Sequence, residues 1–266
     1  MLGKGLGLPE AGGGAYLPVF LAVGRGVEVL AAWESRHRCP EWMDQPGLDA
    51  VEHARALRGL CRINRVSRSD AIVWPAILRL ATGNGAAPAR VLDLACGGGD
   101  VAIALARRAA RWGLEVQIAG CDVSPVAVRI ARAAAAEGRV PVRFFERDAL
   151  ADPIPEGYDV VMCSLFLHHL GDDQAVRLLS KMAGAAHRLI LVNDLLRSRL
   201  GYGLAWAGCR LLSRSPIVHH DGPVSVRSAF TLAEVRDLAR RADLDRVCLT
   251  RHWPRRFLLS GSRRCT

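Results

Sequence analysis

The sequence predicts a doubly wound, Rossmann-like α/β fold with a mostly parallel sheet. Three observations predict it: strand and helix patterns alternate between residues 90 and 193, a glycine-rich turn follows the first strand, and no helix separates the last two strand patterns. Such alternation is typical of right-handed βαβ units, which bury a parallel sheet on both faces. The closing strands predict an antiparallel C-terminal hairpin. With 50% hydrophobic residues, the 266-residue chain can fill such a core, and wholesale disorder is excluded.

The chain begins with a segment that lacks regular patterning. Glycines are closely spaced in residues 1–42, and we expect a poorly ordered extension before a single domain at 43–266. Apolar residues recur at three-residue steps from Leu48 to Ile63, which indicates an amphipathic helix. A second helix is predicted at 69–82. We expect these helices, within 43–85, to cover the mouth of the site.

The central part of the chain supplies the parallel sheet. Short apolar runs predict five strands, at 90–94, 116–121, 142–146, 159–164 and 189–193. Helical patterns follow the first, second and fourth strands, at 100–112, 125–137 and 172–186. Because the carboxyl ends of parallel strands share one edge of the sheet, we expect the ligand site at that edge.

The alternation stops after residue 194. Residues 195–230 are predicted to form an insertion or lid, with an apolar helix at 200–212 and an irregular loop at 213–228. A capping box of Thr231 and Glu234 then predicts a helix at 231–242. Two short strands, at 246–250 and 255–260, close the sheet.

Charge and cysteine content exclude several classes of protein. The net charge is +10, but all except two of the 36 basic residues are arginine, and no run of five like charges occurs. This indicates a coding bias, and we expect no nucleic-acid partner. No uncharged apolar stretch is long enough to span a membrane. The eight cysteines form no CxxC pair, so we expect buried thiols in a reducing cytoplasm and no metal site.

The strongest motif is the run from Val91 to Asp100, in which a strand enters a glycine-rich turn and then a helix. Gly97 and Gly99 allow a ligand to approach the backbone, and the helix start offers free N–H groups. With Ala102 these glycines match a dinucleotide fingerprint, which favours a nicotinamide-dependent oxidoreductase. Asp93 is not part of that fingerprint, however, and suits a ligand with a positively charged amino-acid end.

The motifs in sequence order resemble the class I S-adenosylmethionine-dependent methyltransferases. Asp93, Gly97 and Gly99 match the first-strand motif, and Ala95 replaces its first glycine, which is harmless if the backbone there keeps a negative φ. The segment from Tyr158 through His169 matches the family's fourth-strand region. The resemblance covers residues 86–195 and is closest to the small-molecule branch that includes ubiquinone and menaquinone biosynthesis methyltransferases.

The resemblance implies S-adenosyl-L-methionine as cofactor. Asp122 corresponds to the acid that binds the ribose hydroxyls, and Asp148 with Ala149 to the pair at the adenine edge. The cofactor-binding residues implied are Asp93, Ala95, Gly97, Gly99, Asp122, Val123, Asp148, Ala149 and Ser164.

The resemblance also implies methyl transfer to a small molecule. Cys163-Ser164-Leu165-Phe166 stands where nucleic-acid amino methyltransferases have their Pro-Pro tetrad, which counts against a base substrate. We expect O-methylation of a phenolic, quinone-like or polyketide acceptor. The alternatives are N- or C-methylation, including methylation of a quinone ring, and a catalytically silent cofactor-binding subunit. The oligomeric state stays open.

Histidine suits the removal of a proton from a phenolic acceptor near neutral pH. Four histidines are candidate catalytic residues: His168, His169, His219 and His220. The first two follow the fourth strand, and adjacent residues there are expected to face different ways, so at most one faces the substrate. We rank this pair above the other two, because a strand end holds position better than a loop.

Overall fold

The computed structural model describes residues 33, 35–45, 47–83 and 88–264, and its main compact unit begins at Arg36. Seven strands form one sheet in the order β3-β2-β1-β4-β5-β7-β6. Their bounds are β1 Ala89–Leu94, β2 Val116–Asp122, β3 Val142–Glu146, β4 Tyr158–Ser164, β5 Ala186–Leu195, β6 Leu244–His252 and β7 Arg256–Arg263. The first five strands are parallel and β5-β7-β6 is antiparallel, which confirms the predicted fold class.

Helices cover both faces of this sheet. In chain order they are α1 Ala50–Val66, α2 Ser69–Thr82, α3 Asp100–Arg111, α4 Pro125–Glu137, α5 Asp172–Ala185, α6 Arg199–Leu212, α7 Pro216–Ser228 and α8 Leu232–Arg241. Successive residues of a strand point to opposite faces. Leu92 therefore joins one core cluster, which includes Leu178, and Val91 joins the other, which includes Leu105. None of the helices among the described residues is long and apolar enough to cross a membrane.

The prediction of an irregular loop at 213–228 is wrong, since most of this segment is helix α7. Pro216 occupies the first turn, where its missing N–H costs nothing. Pro223 lies inside the helix, and the pair Gly222-Pro223 is typical of turns, so the sequence pattern predicted a loop. The insertion is therefore a pair of packed helices, α6 and α7.

Residues 36–45 contact the rest of the unit. The Arg36 guanidinium donates to the carbonyl oxygens of Ser228, His168 and Leu170 at 2.6, 2.8 and 2.7 Å. Most of the extension predicted at 1–42 lies outside the described residues, and the boundary at residue 42 stays a prediction. The last residues before that boundary place a side chain, Glu41, beside the candidate catalytic histidines.

Candidate active site

Asp93 lies near the carboxyl end of β1 and is buried to 1% exposure. Its Oδ1 atom has no hydrogen-bond partner among the described residues. Burial, with the nearby Asp100 and Asp122 carboxylates, raises the pKa of Asp93 well above its ordinary value. An unpaired buried carboxylate oxygen is costly, so this position favours a cationic ligand group.

The glycine turn after β1 contains two differently constrained residues. Gly97 and Gly99 both have positive φ, at +54° and +73°. A Cβ on Gly99 would lie 2.6 Å from the Phe144 ring, whereas one on Gly97 would meet only Leu57, at 3.7 Å. Gly99 is thus required by packing, and Gly97 borders open space above the turn.

Ala95 does not keep the negative φ under which replacement of the family glycine is harmless. Its φ is +51°, in the left-handed region. A side chain in that region costs about 1 kcal/mol or more relative to glycine. The turn therefore holds an alanine in a backbone conformation that favours glycine.

Asp122 ends β2 and holds the glycine turn. Its Oδ2 atom accepts the Gly97 N–H at 2.8 Å, and Oδ1 accepts the Ser124 N–H at 2.9 Å. Burial raises the pKa of this carboxyl despite both bonds. Each oxygen keeps a lone pair for a ligand hydroxyl. The neighbouring Val123 is 67% exposed, which is unusual for valine and leaves an apolar surface beside the carboxylate.

The remaining predicted cofactor residues follow β3 and end β4. The Asp148 carboxylate accepts the N–H groups of Leu150 and Ala151 at 2.7 and 3.1 Å, so it caps a local turn. Ala149 is buried, and Ser164 accepts a hydrogen bond from Asn193 at 3.5 Å. The strand register brings these ends to the same edge of the sheet as Asp93 and Asp122, while the contact of Asp148 with adenine stays a prediction.

Helix α1 covers this edge. Leu57 lies against the glycine turn. Burial lowers the pKa of His53, and the nearby Asp122 carboxylate opposes that shift. The periodic stripe of α1 predicted a buried face but gave no indication that Leu57 would meet Gly97.

A cavity of about 270 Å³ is lined in part by α1, the helix that covers this edge. Its walls come from α1, α6 and α7 and are mainly apolar, with Leu60, Ile63, Leu204, Ala205, Val218 and Val226 among the lining residues. Six charged or histidine side chains interrupt this lining: Glu41, His168, His169, Asp221, Arg255 and Arg256. A larger recess, of about 570 Å³, lies against α3 and α4 and includes none of the predicted catalytic histidines. The smaller cavity is therefore the better candidate for a small-molecule acceptor.

His168 and His169 both line this cavity, contrary to the expectation that at most one would. They lie on a short 3-10 turn, Leu167–His169, where side chains do not alternate as in a strand, and their rings are 4.3 Å apart. Burial alone would lower the pKa of His168, but Asp194 and Glu41 outweigh it and raise the pKa to about 10. The imidazole–carboxylate distances are 2.6 Å to Asp194 and 3.5 Å to Glu41.

The other two candidate histidines lie on α7 and do not line the cavity. The Nε2 atom of His219 is 2.7 Å from the carbonyl oxygen of Ser213. His220 pairs with Asp221 at 2.8 Å and stacks on Trp42, with ring centroids 4.0 Å apart. The ranking of the two pairs stays a prediction.

Sequence analysis missed Glu41 and Arg256, which line the cavity, and Asp194, which contacts His168. Asp194 lies at the carboxyl edge of β5, which was the available signal. Arg256 is 2% exposed, and its Nη2 atom donates to Ser67 at 2.8 Å. Burial lowers the pKa of Arg256 to about 10, and Asp194 and Asp100 oppose that shift.

The glycine turn and the strands around it are similar to known methyltransferases. Residues 91–187 match the family described as "Methyltransferase domain". A demethylmenaquinone methyltransferase of Thermus thermophilus is 39% identical over 108 residues, which cover 40% of this chain and 47% of that protein. A ubiquinone biosynthesis O-methyltransferase of Cupriavidus pinatubonensis is 30% identical over 166 residues, which cover 61% of this chain and 63% of the relative. The chain spans about half or less of the length of the first curated relatives.

Solved structures extend the likeness to most of the chain. Magnesium protoporphyrin IX methyltransferase from Synechocystis PCC 6803, crystallised with bound SAH, has a TM-score of 0.53 at 18% identity and covers 90% of this chain and 95% of its own. An O-methyltransferase from neocarzinostatin biosynthesis has a TM-score of 0.60 at 18% identity, with 82% and 60% coverage. These likenesses show the fold. The matches confirm the predicted resemblance over residues 91–187.

Proposed function

We propose, on the premise that residues 91–187 form a methyltransferase domain, that the protein transfers a methyl group from S-adenosylmethionine to a small molecule. The observation that carries the proposal is the buried Asp93 carboxylate, whose Oδ1 atom has no partner among the described residues. The amino-acid end of S-adenosylmethionine carries an ammonium group, which would neutralise it. A nicotinamide dinucleotide has no ammonium group to place there, since the charged ring nitrogen of its oxidised form carries no N–H to donate to a carboxylate.

The residues around Asp93 fit the rest of this cofactor. Asp122 is fixed by two backbone N–H groups and has lone pairs for the ribose hydroxyls. The exposed side chain of Val123 offers an apolar face for the adenine ring. When bound, the cofactor supplies a sulfonium-activated methyl group, so the chain's residues mainly orient the two reactants and exclude water.

The acceptor would occupy the cavity between α1, α6 and α7, which supports the assignment of 195–230 as the wall of the acceptor site. Its apolar lining favours an aromatic or similarly apolar molecule. His168 and His169 favour oxygen as the nucleophile, because positive charge on His168 stabilises an ionised phenolic or enolic oxygen. Because the pKa of about 10 keeps His168 protonated near neutral pH, His169 is the member of this pair left as candidate base, and its role stays our prediction. Ring C-methylation is the second candidate, since relatives include demethylmenaquinone methyltransferases.

Thermal unfolding with S-adenosylhomocysteine and with NAD tests the cofactor assignment. At about one hundred times its dissociation constant, a ligand adds roughly 2.7 kcal/mol to the free energy of unfolding. We expect this stabilisation with S-adenosylhomocysteine and none with NAD. Asp93→Asn should lose it, and Asp243→Asn, at an exposed position far from the turn in sequence, should keep it. Stabilisation by NAD alone would overturn the proposal.

A further inference from the structure

Three side chains converge at one end of the acceptor cavity. The Nε2 atom of His168 is 3.5 Å from Oε1 of Glu41, and the Nε2 atom of His169 is 3.9 Å from Oε2. One ligand atom from each of the three residues lies within 4.8 Å of the other two. Metal–ligand bonds of about 2.0 to 2.2 Å place the ligands of one ion roughly 3 to 3.5 Å apart. Small side-chain rotations would therefore bring these three atoms onto a common ion.

Each imidazole is oriented through its other nitrogen. The Nδ1 atom of His168 is 2.6 Å from Oδ1 of Asp194, and the Nδ1 atom of His169 is 2.8 Å from Oδ2 of Asp44. A carboxylate at Nδ1 fixes the proton there and directs the Nε2 lone pair outward, as it does for metal-bound histidines. In the metal-free protein a proton on His168 offsets the charge of the Glu41 carboxylate, 3.5 Å from Nε2. A bound ion would displace that proton and take its place between the imidazole and the carboxylate.

We propose that Glu41, His168 and His169 form a binding site for a divalent transition-metal ion. Two imidazoles and one carboxylate suit Zn²⁺, Fe²⁺ or Mn²⁺ and leave coordination positions open. All three residues line the cavity, so the open positions face the acceptor. Asp44 and Asp194 contact the two imidazoles, and Asp221 lies near Glu41. The guanidinium groups of Arg36 and Arg256 lie at the same end of the cavity and oppose part of this negative charge.

The role of this ion in catalysis rests on the proposed methyl transfer, whereas its binding does not. Coordination of an acceptor hydroxyl lowers the pKa of that hydroxyl, and its proton passes to water. The resulting oxygen attacks the methyl carbon. The new O–CH₃ bond forms as the S–CH₃ bond breaks, and the sulfonium becomes a neutral thioether. The cluster thus selects acceptors whose reacting group is an oxygen able to bind a metal.

The test titrates the untagged, metal-stripped full chain with Zn²⁺ by calorimetry and with Co²⁺ by visible absorption. We expect one ion per chain. Glu41→Gln and His169→Gln should each weaken binding at least tenfold, and Asp44→Asn should weaken it about 10- to 100-fold. The matched control is His219→Gln, whose ring lies against Ser213 outside the cluster and which should keep the parental affinity.

Circular dichroism and the response to S-adenosylhomocysteine show whether each variant is folded. His169 is half-buried, so we expect the His169→Gln variant to fold and to test the site even if Glu41→Gln unfolds. Absence of saturable binding by the parent, or unchanged affinity in a folded His169→Gln variant, would overturn the metal site. A protein that binds S-adenosylhomocysteine but no metal refutes only this inference. One that binds metal but not S-adenosylhomocysteine refutes the proposed function instead.

Discussion

Alanine substitutions at the two glycines of the turn should separate a packing role from a ligand-binding role. Both residues have positive φ, so alanine costs about 1 to 2 kcal/mol at either position. Alanine also restricts the unfolded chain more than glycine does, which adds roughly 0.4 to 1 kcal/mol to the free energy of unfolding and offsets part of that cost. At Gly99 the added methyl group also lies 2.6 Å from Phe144 and 2.9 Å from the Cβ atom of Ala131. Overpacking of this kind adds about 1 to 3 kcal/mol.

We therefore expect Gly99→Ala to lower the free energy of unfolding by about 2 to 4 kcal/mol, and Gly97→Ala by about 0.5 to 1 kcal/mol. The order reverses for ligand affinity, because the methyl group on Gly97 enters the space above the turn. Urea unfolding without ligand measures the first effect, and calorimetric titration with S-adenosylhomocysteine measures the second. Equal losses of stability in the two variants, or unchanged affinity in Gly97→Ala, would refute this reasoning.

Three further predictions concern other residues of the site. Burial raises the pKa of Asp93, so the folded protein keeps a proton that the unfolded chain releases above pH 3.8. The free energy of unfolding of the ligand-free protein should therefore fall as the pH rises above 3.8. Urea unfolding at several pH values measures this slope, which Asp93→Asn should reduce. Arg36→Ala should lower the free energy of unfolding by about 2 to 4 kcal/mol, because it removes three hydrogen bonds to carbonyl oxygens. Arg36→Lys should recover part of this loss. A loss smaller than the uncertainty of urea unfolding would contradict the anchoring role. Ala95→Gly should raise the free energy of unfolding by up to about 1 kcal/mol, because the relief of strain at positive φ exceeds the entropy that glycine adds to the unfolded chain. A destabilised variant would show that the strain is absent.

The fold was predictable because its signals are local. Each parallel strand is a short apolar run, and an acid lies at or near the carboxyl end of β1 and of β2, on either side of the glycine turn in sequence. The helix α7 was missed because Gly222 and Pro223 carry strong turn preferences, which packing against α6 overrides. Local propensity is a weak guide where tertiary contacts decide.

The acceptor end of the site was only partly predictable. His168 and His169 were recognisable from their place after β4, but their partners come from distant parts of the chain. Glu41 lies in a segment without periodicity, and nothing in that segment indicates that it packs beside β4. Asp194 stands at the end of a strand where a carboxylate has several structural uses. Such clusters depend on long-range contacts that a sequence pattern does not encode.

Helix α1 connects the two halves of the site. Leu57 lies against the glycine turn, and Leu60 and Ile63, one and two turns further along, line the acceptor cavity. Residues three and four apart share a helix face, so one face of α1 borders both the glycine turn and the cavity. Substitutions on this face would therefore alter both parts of the site at once.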